Sequence, residues 1–319
     1  MMDNVRLESL VAGKSLFRRS SHVAALLSYG LVLSVTPTLG QTDPQHTVAT
    51  VPMWAKTAND CEFKVLVPSH VEFLKFFGVT WSGACVDGRV SGFGTLVDHK
   101  PDGDTIWQGT MQDGVREGHG VVTLPDGSSL SGDWRNGVLQ DPIVLNSSKG
   151  MHYEGQSNNG VPEGEGTATW PSGARYDGHW QNGAKDGHGI MKYVSKGEPT
   201  YDGMFKDGQR SGHGTLIFTN GTSFEGEWLN DALNGPAKAD FSKGFHFEGE
   251  MRDGKINGFG TMVAPNGSRY EGQWRDGKPD GEGTLTKAGL TPYSGKWQHG
   301  CFMDGTRRAS FTVDLSSCT

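Results

Sequence analysis

One short pattern recurs ten times between Trp81 and the C-terminus, and it constrains the fold more than any other feature. Each copy has an anchor residue, Gly at +2, usually Asp/Asn-Gly at +6 and +7, and Gly-x-Gly at +11 and +13. The anchors are Trp81, Trp107, Leu130, Tyr153, Tyr176, Tyr201, Phe224, Phe247, Tyr270 and Tyr293. A fixed short period predicts a stacked array in which each unit buries one face against its neighbours.

Each copy is predicted to form a β-hairpin. Side chains alternate between the two faces of a strand, so Tyr270, Gly272 and Trp274 share one face. Asp276-Gly277 is a strong tight-turn signal, because both residues tolerate positive φ. A second strand then carries the Gly-x-Gly and ends at another turn. We therefore predict an all-β chain, an elongated and twisted antiparallel meander of about ten β-hairpins.

Glycine makes up 48 of the 319 residues, and most of it falls on fixed positions of the repeat. Glycine inside a strand often marks the close approach of a neighbouring group. We therefore expect the glycines to leave room for aromatic rings that pack against bare backbone. This structural aromatic stripe would replace a conventional core. Its members are Trp81, Trp107, Tyr153, Tyr176, Tyr201, Phe224, Phe247, Tyr270 and Tyr293.

Two copies depart from the pattern. In the third copy, which begins at Leu130, Asp141 and Ile143 stand where Gly-x-Gly belongs. In the seventh copy, Asp231 replaces the turn glycine and Gly235-Pro236-Ala237 replaces Gly-x-Gly. Proline inside a strand is tolerated mainly where no backbone donor is needed. We expect a local bend or a widened groove in these copies.

The pattern Tyr-Glu-Gly-x-Trp-x-x-Gly followed by Gly-x-Gly resembles the MORN repeat (membrane occupation and recognition nexus). Its plainest instances are Tyr153-Glu154-Gly155, Tyr176-Asp177-Gly178, Tyr201-Asp202-Gly203 and Tyr270-Glu271-Gly272. The resemblance implies a MORN-type solenoid of hairpins with a binding or scaffolding role. Where members of the family are enzymes, a separate domain carries the chemistry. The resemblance therefore implies that this chain is not an enzyme.

The N-terminus reads as a targeting segment. Lys14, Arg18 and Arg19 precede an apolar run from Val23 to Leu39, the layout of a secretory signal peptide. The alternative is an uncleaved N-terminal anchor. We divide the chain into the signal or anchor (1–40), an N-terminal linker and capping strand (41–78), the repeat array (79–300) and a C-terminal capping segment (301–319). This layout is typical of an exported bacterial member of the family, in the periplasm or secreted.

Cysteine placement predicts two disulfides. The four cysteines lie in pairs near the two ends of the array, at Cys61, Cys85, Cys301 and Cys318. In an exported chain such pairs favour Cys61–Cys85 and Cys301–Cys318, because each closes a short loop at one end. The first pairing further suggests a hairpin between Cys61–Val67 and Val79–Cys85.

Two rows of polar residues have the residue types that chemistry would need. His119, His188 and His213 share position +12, but equivalent positions lie two strands apart, about 9.6 Å, and no third zinc ligand is evident. Position +1 carries an acidic row of Glu154, Asp177, Asp202, Glu225, Glu248 and Glu271. Its spacing suits paired carboxylates, yet nothing singles out one pair. We predict no catalytic residue, no metal site and no cofactor, and a solvated acidic row that keeps the array soluble. The alternative for this row is a surface that meets a cationic partner.

Charge narrows the choice of partner. The net charge of −7 argues against general nucleic-acid binding and against adhesion to anionic lipid. We predict a non-enzymatic binding or scaffolding protein of the cell envelope that presents an extended repeat surface to a protein partner. The alternative is a membrane- or glycan-surface binding module that uses exposed aromatics. That alternative requires the Trp side chains at position +4 to be solvent-accessible.

Overall fold

A computed structural model describes residues 50–68, 78–195 and 197–318. The predicted targeting segment (1–40) lies outside these residues, so its cleavage stays a prediction. One compact unit ends at Gly183 and a second begins at Ala184. In the part of the chain that is described, no helix is long and apolar enough to cross a membrane.

The described residues of the first unit form the strands β1 (Thr50–Lys56), β2 (Glu62–Pro68), β3 (Val79–Trp81), β4 (Ala84–Val86), β5 (Arg89–Asp98), β6 (Thr105–Gln112), β7 (Val115–Thr123), β8 (Ser129–Arg135), β9 (Val138–Leu139), β10 (Ile143–Asn146), β11 (His152–Asn158), β12 (Val161–Thr169) and β13 (Arg175–Gln181).

The second unit continues with β14 (Ala184–Lys192), β15 (Thr200–Lys206), β16 (Gln209–Ile217), β17 (Ser223–Leu229), β18 (Ala232–Asp240), β19 (His246–Arg252), β20 (Lys255–Val263), β21 (Arg269–Arg275), β22 (Lys278–Thr286), β23 (Tyr293–Gln298), β24 (Cys301–Asp304) and β25 (Arg307–Ser310). A short 3-10 helix follows at Leu315–Ser317.

Within each unit the repeat region is an antiparallel meander. From β14 to β25 every strand pairs with the next one along the chain. The glycines meet in register, because Gly214 on β16 lies opposite Gly203 on β15 and Gly226 on β17. The prediction of an all-β meander of hairpins is confirmed.

Turn and bulge geometry explains why particular positions hold glycine. In the β15–β16 turn, Asp207 and Gly208 have φ of 49° and 83°, the left-handed pair that a two-residue hairpin turn requires. Gly212 at +11 has φ of 77°, again in the region that favours glycine. The register of β15 against β16 also shifts between Gly203 and Phe205. A bulge of this kind bends the strand and increases its local twist.

The aromatic anchors pack on the glycine row. The side chain of Tyr201 is fully buried, and its hydroxyl donates a hydrogen bond to the Met204 carbonyl at 3.1 Å. A Cβ atom added to Gly214 would lie 2.2 Å from that hydroxyl oxygen, so the ring covers bare backbone. The ring also meets the edge of Trp228, with centroids 5.4 Å apart. Of the nine predicted stripe residues, all are buried except Tyr293, which is half-buried.

At the N-terminus, the predicted hairpin between Cys61–Val67 and Val79–Cys85 is wrong. Strand β2 pairs with β1, whereas β3 and β4 both pair with β5. The ten residues of β5 are long enough to serve both short strands. Strand β2 crosses the hairpin turns instead: the amides of Glu62 and Lys64 donate to the carbonyls of Gly88 and Gly114, both at 2.7 Å.

Only one of the two irregular copies has an interrupted second strand. In the third copy the second strand is interrupted between β9 and β10, as expected. In the seventh copy β18 runs unbroken through Pro236, and the irregularity is a bulge on its partner β17. The outer groove described below begins on these two strands. Strand β17 bulges between Gly226 and Trp228, and Pro236 therefore has no partner residue on β17. No backbone donor toward β17 is needed from Pro236, so proline is tolerated there. Ala237 stands at +13 of the copy whose anchor, Phe224, carries no hydroxyl.

Both predicted disulfides are formed. The Cα atoms of Cys61 and Cys85 are 5.9 Å apart, and those of Cys301 and Cys318 are 5.6 Å apart. The second bond holds the C-terminal segment, in which the ring of Phe311 stacks on Tyr270 at 5.8 Å. This segment therefore covers the end of the aromatic stripe.

We expect Cys301→Ser combined with Cys318→Ser to destabilise the protein by about 3 kcal/mol, the loop-closure entropy of a loop of about 17 residues. Urea unfolding followed by tryptophan fluorescence would measure the loss. Reduced wild type serves as a control: with dithiothreitol present, wild type and variant should unfold together. An oxidised variant as stable as oxidised wild type would contradict this role of the C-terminal disulfide.

Candidate binding surface

The face opposite the aromatic stripe carries the acidic row. In the second unit Asp202 and Glu225 both lie opposite Thr215, and Glu225 and Glu248 both lie opposite Lys238. Acids therefore occupy every second strand along one line across the sheet. With neighbouring strands about 4.8 Å apart, successive acids are about 9.6 Å apart.

A groove of about 490 Å³ crosses this row between Ser223 and Arg269. It follows the outer side of strands β17 to β21. The charged residues that line it are Glu225, Lys238, Asp240, His246, Glu248 and Arg269. The groove is therefore polar and open to solvent, and it is suited to another macromolecule's charged side chains.

Some of these charges are paired within the sheet and others are available. His246 Nδ1 lies 2.5 Å from Asp240 Oδ1, and Arg269 lies 2.5 Å from Glu271. Lys238 and Glu248 are both exposed. Across residues 50–68, 78–195 and 197–318, neither of them forms an ion pair with another side chain. These two residues are therefore the most available charged positions of the groove.

The three histidines at +12 lie on this outer face, each beside an acid. His119 is 3.2 Å from Asp133, and His188 is 2.9 Å from Asp202. His213 lies 3.4 Å from Glu227. In the portion of the chain that the structure describes, no three His, Cys, Asp or Glu side chains converge as metal ligands would. These histidines are exposed strand residues in cross-strand pairs.

The Trp side chains at +4 are on the buried face. Trp180, Trp228 and Trp274 are all less than 5% exposed. The indole of Trp228 donates to the Gly214 carbonyl at 2.9 Å, and that of Trp274 donates to the Gly260 carbonyl at 3.0 Å. The alternative of a surface-binding module that uses these aromatics is therefore wrong, because the rings are committed to the core.

Position +9 carries cations that lie over the aromatic rings. This position was not identified from the sequence. Arg210 is only 7% exposed, and its guanidinium lies 4.2 Å from the Trp228 ring centroid. Its Nε is 3.1 Å from Asp231 Oδ1. Asp231 stands at the turn position that is glycine in most copies, and there it pairs with the buried Arg210. The signal was present, because +9 has the same parity as the glycines at +11 and +13.

Position +10 was also missed. Its side chains accept hydrogen bonds from the turn amide of the next repeat: Glu163 from Asn182 at 2.8 Å and Asn234 from Asp253 at 3.1 Å. The repeated acceptor just before the +11 glycine could have predicted this contact. It ties each hairpin turn to its neighbour.

Partial burial shifts the pKa of the two other cations at +9, Arg116 and Lys185, which are half-buried. It lowers the pKa of Arg116 to about 10. Burial is also the main reason why the pKa of Lys185 falls to about 8, with Asp231 opposing the shift and Arg210 adding to it. The folded pKa of Lys185 is thus below its unfolded value. Its charge costs stability fully below pH 8, and this cost fades as the pH rises toward 10.5.

We expect Lys185→Met to stabilise the protein by about 1–2 kcal/mol at pH 7, because methionine fills the site without a buried charge. Unfolding free energies should be measured at several pH values between 7 and 10. The difference from wild type should shrink as the pH rises. Lys243→Met, at an exposed position, is the control and should show no such pH dependence. A constant difference across the range would contradict the assignment.

Comparison with known protein families identifies the repeat. The family model for the MORN repeat matches residues 107–129, 153–175, 176–198, 201–223, 224–245, 247–269 and 270–289. The copies that begin at Trp81, Leu130 and Tyr293 lie outside the matches. No curated protein matches the sequence.

Two solved structures are similar at 12% sequence identity. The TCP domain of Drosophila melanogaster SAS-4, in complex with a proline-rich motif of Ana2, aligns over 55% of this chain and 87% of that chain, with a TM-score of 0.30. The wild-type TCP10 domain of Danio rerio CPAP aligns over 60% of this chain and 88% of that chain, with a TM-score of 0.34. TM-scores this low support no conclusion about function.

Proposed function

From the seven MORN repeats that this chain carries across residues 107–289, we propose that it is a non-enzymatic binding and scaffolding protein of the cell envelope. It presents the outer face of its sheet to a protein partner. The observation that carries the proposal is the open groove around Lys238 and Glu248. The aromatic face is filled by the chain's own rings, so the polar outer face is the surface left for recognition.

The residues of the groove support binding rather than catalysis. Lys238 and Glu248 are exposed to solvent, and charged residues in such a setting act in recognition and in steering a partner. The sheet beneath them is held by hydrogen bonds on both sides of β17, β18 and β19. A rigid backbone keeps the charges in place before binding, which lowers the ordering cost of association.

Charge reversal tests this role. We expect Glu225→Lys combined with Glu248→Lys to abolish crosslinking of the full chain to its partner in envelope extracts. The matched control is Glu154→Lys with Asp177→Lys, which reverses the same repeat position in the first unit and should leave crosslinking unchanged. A partner that crosslinks equally to all three proteins would show that this groove is not the binding surface.

Export is part of the proposal. Two disulfides favour an oxidising compartment such as the periplasm or the cell exterior. Sequencing the N-terminus of the mature protein from its host tests it. A start near Gln41 indicates a cleaved signal, and an intact N-terminus in the membrane fraction indicates an anchor. A soluble intracellular protein with an intact N-terminus would overturn the assignment.

A further inference from the structure

The acidic row on the second unit has a definite period. Asp202, Glu225, Glu248 and Glu271 lie on β15, β17, β19 and β21, each two strands from the next, so their spacing is about 9.6 Å. The strands between them place Thr215, Lys238 and Thr261 on the same line. Hydrogen-bond acceptors and donors therefore alternate along a line that crosses the groove.

One peptide conformation matches this period. A polyproline II helix has three residues per turn and rises about 3.1 Å per residue, so equivalent side chains recur every 9.3 Å or so. In an extended β-strand, side chains on one face recur at about 6.8 Å and 13.6 Å. In an α-helix, side chains on one face recur about 5–6 Å apart, at i+3 and i+4. Of the three, only polyproline II places one side chain per turn opposite each acid.

The alternation of acidic acceptors with Lys and Thr donors along the row also suits a polyproline II peptide. A polyproline II peptide makes no internal hydrogen bonds, so its carbonyl groups are free to accept. The ammonium of Lys238 and the hydroxyls of Thr215 and Thr261 can donate to such carbonyls. The acids on the adjacent strands can receive cations from the partner, in competition with His188 at Asp202 and Arg269 at Glu271. Glu248 lines the groove, is exposed and forms no ion pair with another side chain within the described residues.

We propose that the row Asp202, Glu225, Glu248 and Glu271 binds a proline-rich segment of a partner protein in the polyproline II conformation, with Lys or Arg at every third position. This inference rests on the proposed function and names the chemistry of its partner. The peptide crosses the strands along the row and passes through the groove, which Glu225 and Glu248 line. Its basic side chains meet the acids, and its carbonyls face Lys238 and the threonines.

Calorimetric titration of the full chain with defined peptides tests the spacing. The probe is Lys-Pro-Pro repeated four times. Its control has the same length, the same four lysines and only prolines besides, with lysine at every second position. We expect the first peptide to bind at least about fivefold more tightly, and both affinities to fall as salt rises. Equal affinities would overturn the inference, because charge alone would then explain binding.

Variants of the row test the site. Glu225→Gln combined with Glu248→Gln should weaken binding of the Lys-Pro-Pro peptide about tenfold, through the loss of two ion pairs. Glu227→Gln combined with Glu250→Gln removes two acids from the same strands but off the row, and should change the affinity less than twofold. An unchanged affinity in the first variant would overturn the site, provided that circular dichroism shows it folded.

The two proposals fail separately. A partner that crosslinks through Glu225 and Glu248, together with a Lys-Pro-Pro peptide that does not bind, overturns the peptide chemistry and leaves the binding role intact. A peptide that binds at the row, together with no envelope partner sensitive to charge reversal, supports the chemistry of the row and overturns the proposed function.

Discussion

Replacing Gly214 with alanine is expected to destabilise the second unit by about 3 kcal/mol. The new Cβ would lie 2.2 Å from the Tyr201 hydroxyl oxygen and 2.5 Å from the carbon that carries it. The ring cannot move away easily, because its hydroxyl is bonded to the Met204 carbonyl and its edge meets Trp228. Gly214 does not have positive φ, so the loss would come from the clash alone. Urea unfolding would measure it.

Two controls separate the clash from a general glycine effect. Gly221→Ala places its Cβ in open space at φ of 83°, so it tests backbone strain alone and should cost about 1 kcal/mol. Tyr201→Phe combined with Gly214→Ala removes the nearest atom of the clash and should recover part of the stability. The natural pair Phe224 and Ala237 already shows this combination. A Gly214→Ala protein as stable as Gly221→Ala would refute the packing of rings on bare backbone.

Trp228→Ala is expected to cost about 3–5 kcal/mol, the usual loss for a large buried aromatic side chain. The indole is only 2% exposed, and it contacts Tyr201 and Arg210. Its removal would leave a cavity and deprive Arg210 of the nearer of its two aromatic neighbours, Trp228 at 4.2 Å against Tyr201 at 5.6 Å. Thermal and urea unfolding would measure the effect.

Matched variants define what the indole contributes. Trp228→Phe keeps a ring but loses the hydrogen bond to the Gly214 carbonyl, so we expect a smaller cost of about 1–2 kcal/mol. Phe259→Ala removes a ring that is 56% exposed, and should change stability by less than about 0.5 kcal/mol. If Trp228→Ala proved as mild as Phe259→Ala, the +4 tryptophans would not be core residues.

The repeat predicted the fold well because its signals are local. A pair such as Asp207-Gly208 favours a two-residue turn from its own backbone preferences, whatever surrounds it. The same reasoning identified both disulfides. It failed at β2, which crosses the turns of the first repeats, because nothing in residues 62–68 encodes which edge they meet.

The candidate site was only partly predictable. Alternation along a strand was enough to place the acidic row on the outer face. The irregular seventh copy indicated a bend or a groove there, but not a groove that extends from Ser223 to Arg269, because its lining comes from five strands and not from one copy. Nor did the alternation show which acids are already paired, as Glu271 is with Arg269.

The sequence by itself determined the hairpins, their register and the face on which each side chain lies, since these follow from residues close together in the chain. Only the tertiary structure decided that Arg210 is buried beside Asp231, 21 positions away. It also decided that the +4 tryptophans are buried and that Lys238 and Glu248 are available. Burial and ion pairing depend on contacts between residues of different repeats. The pattern within one repeat does not specify those contacts.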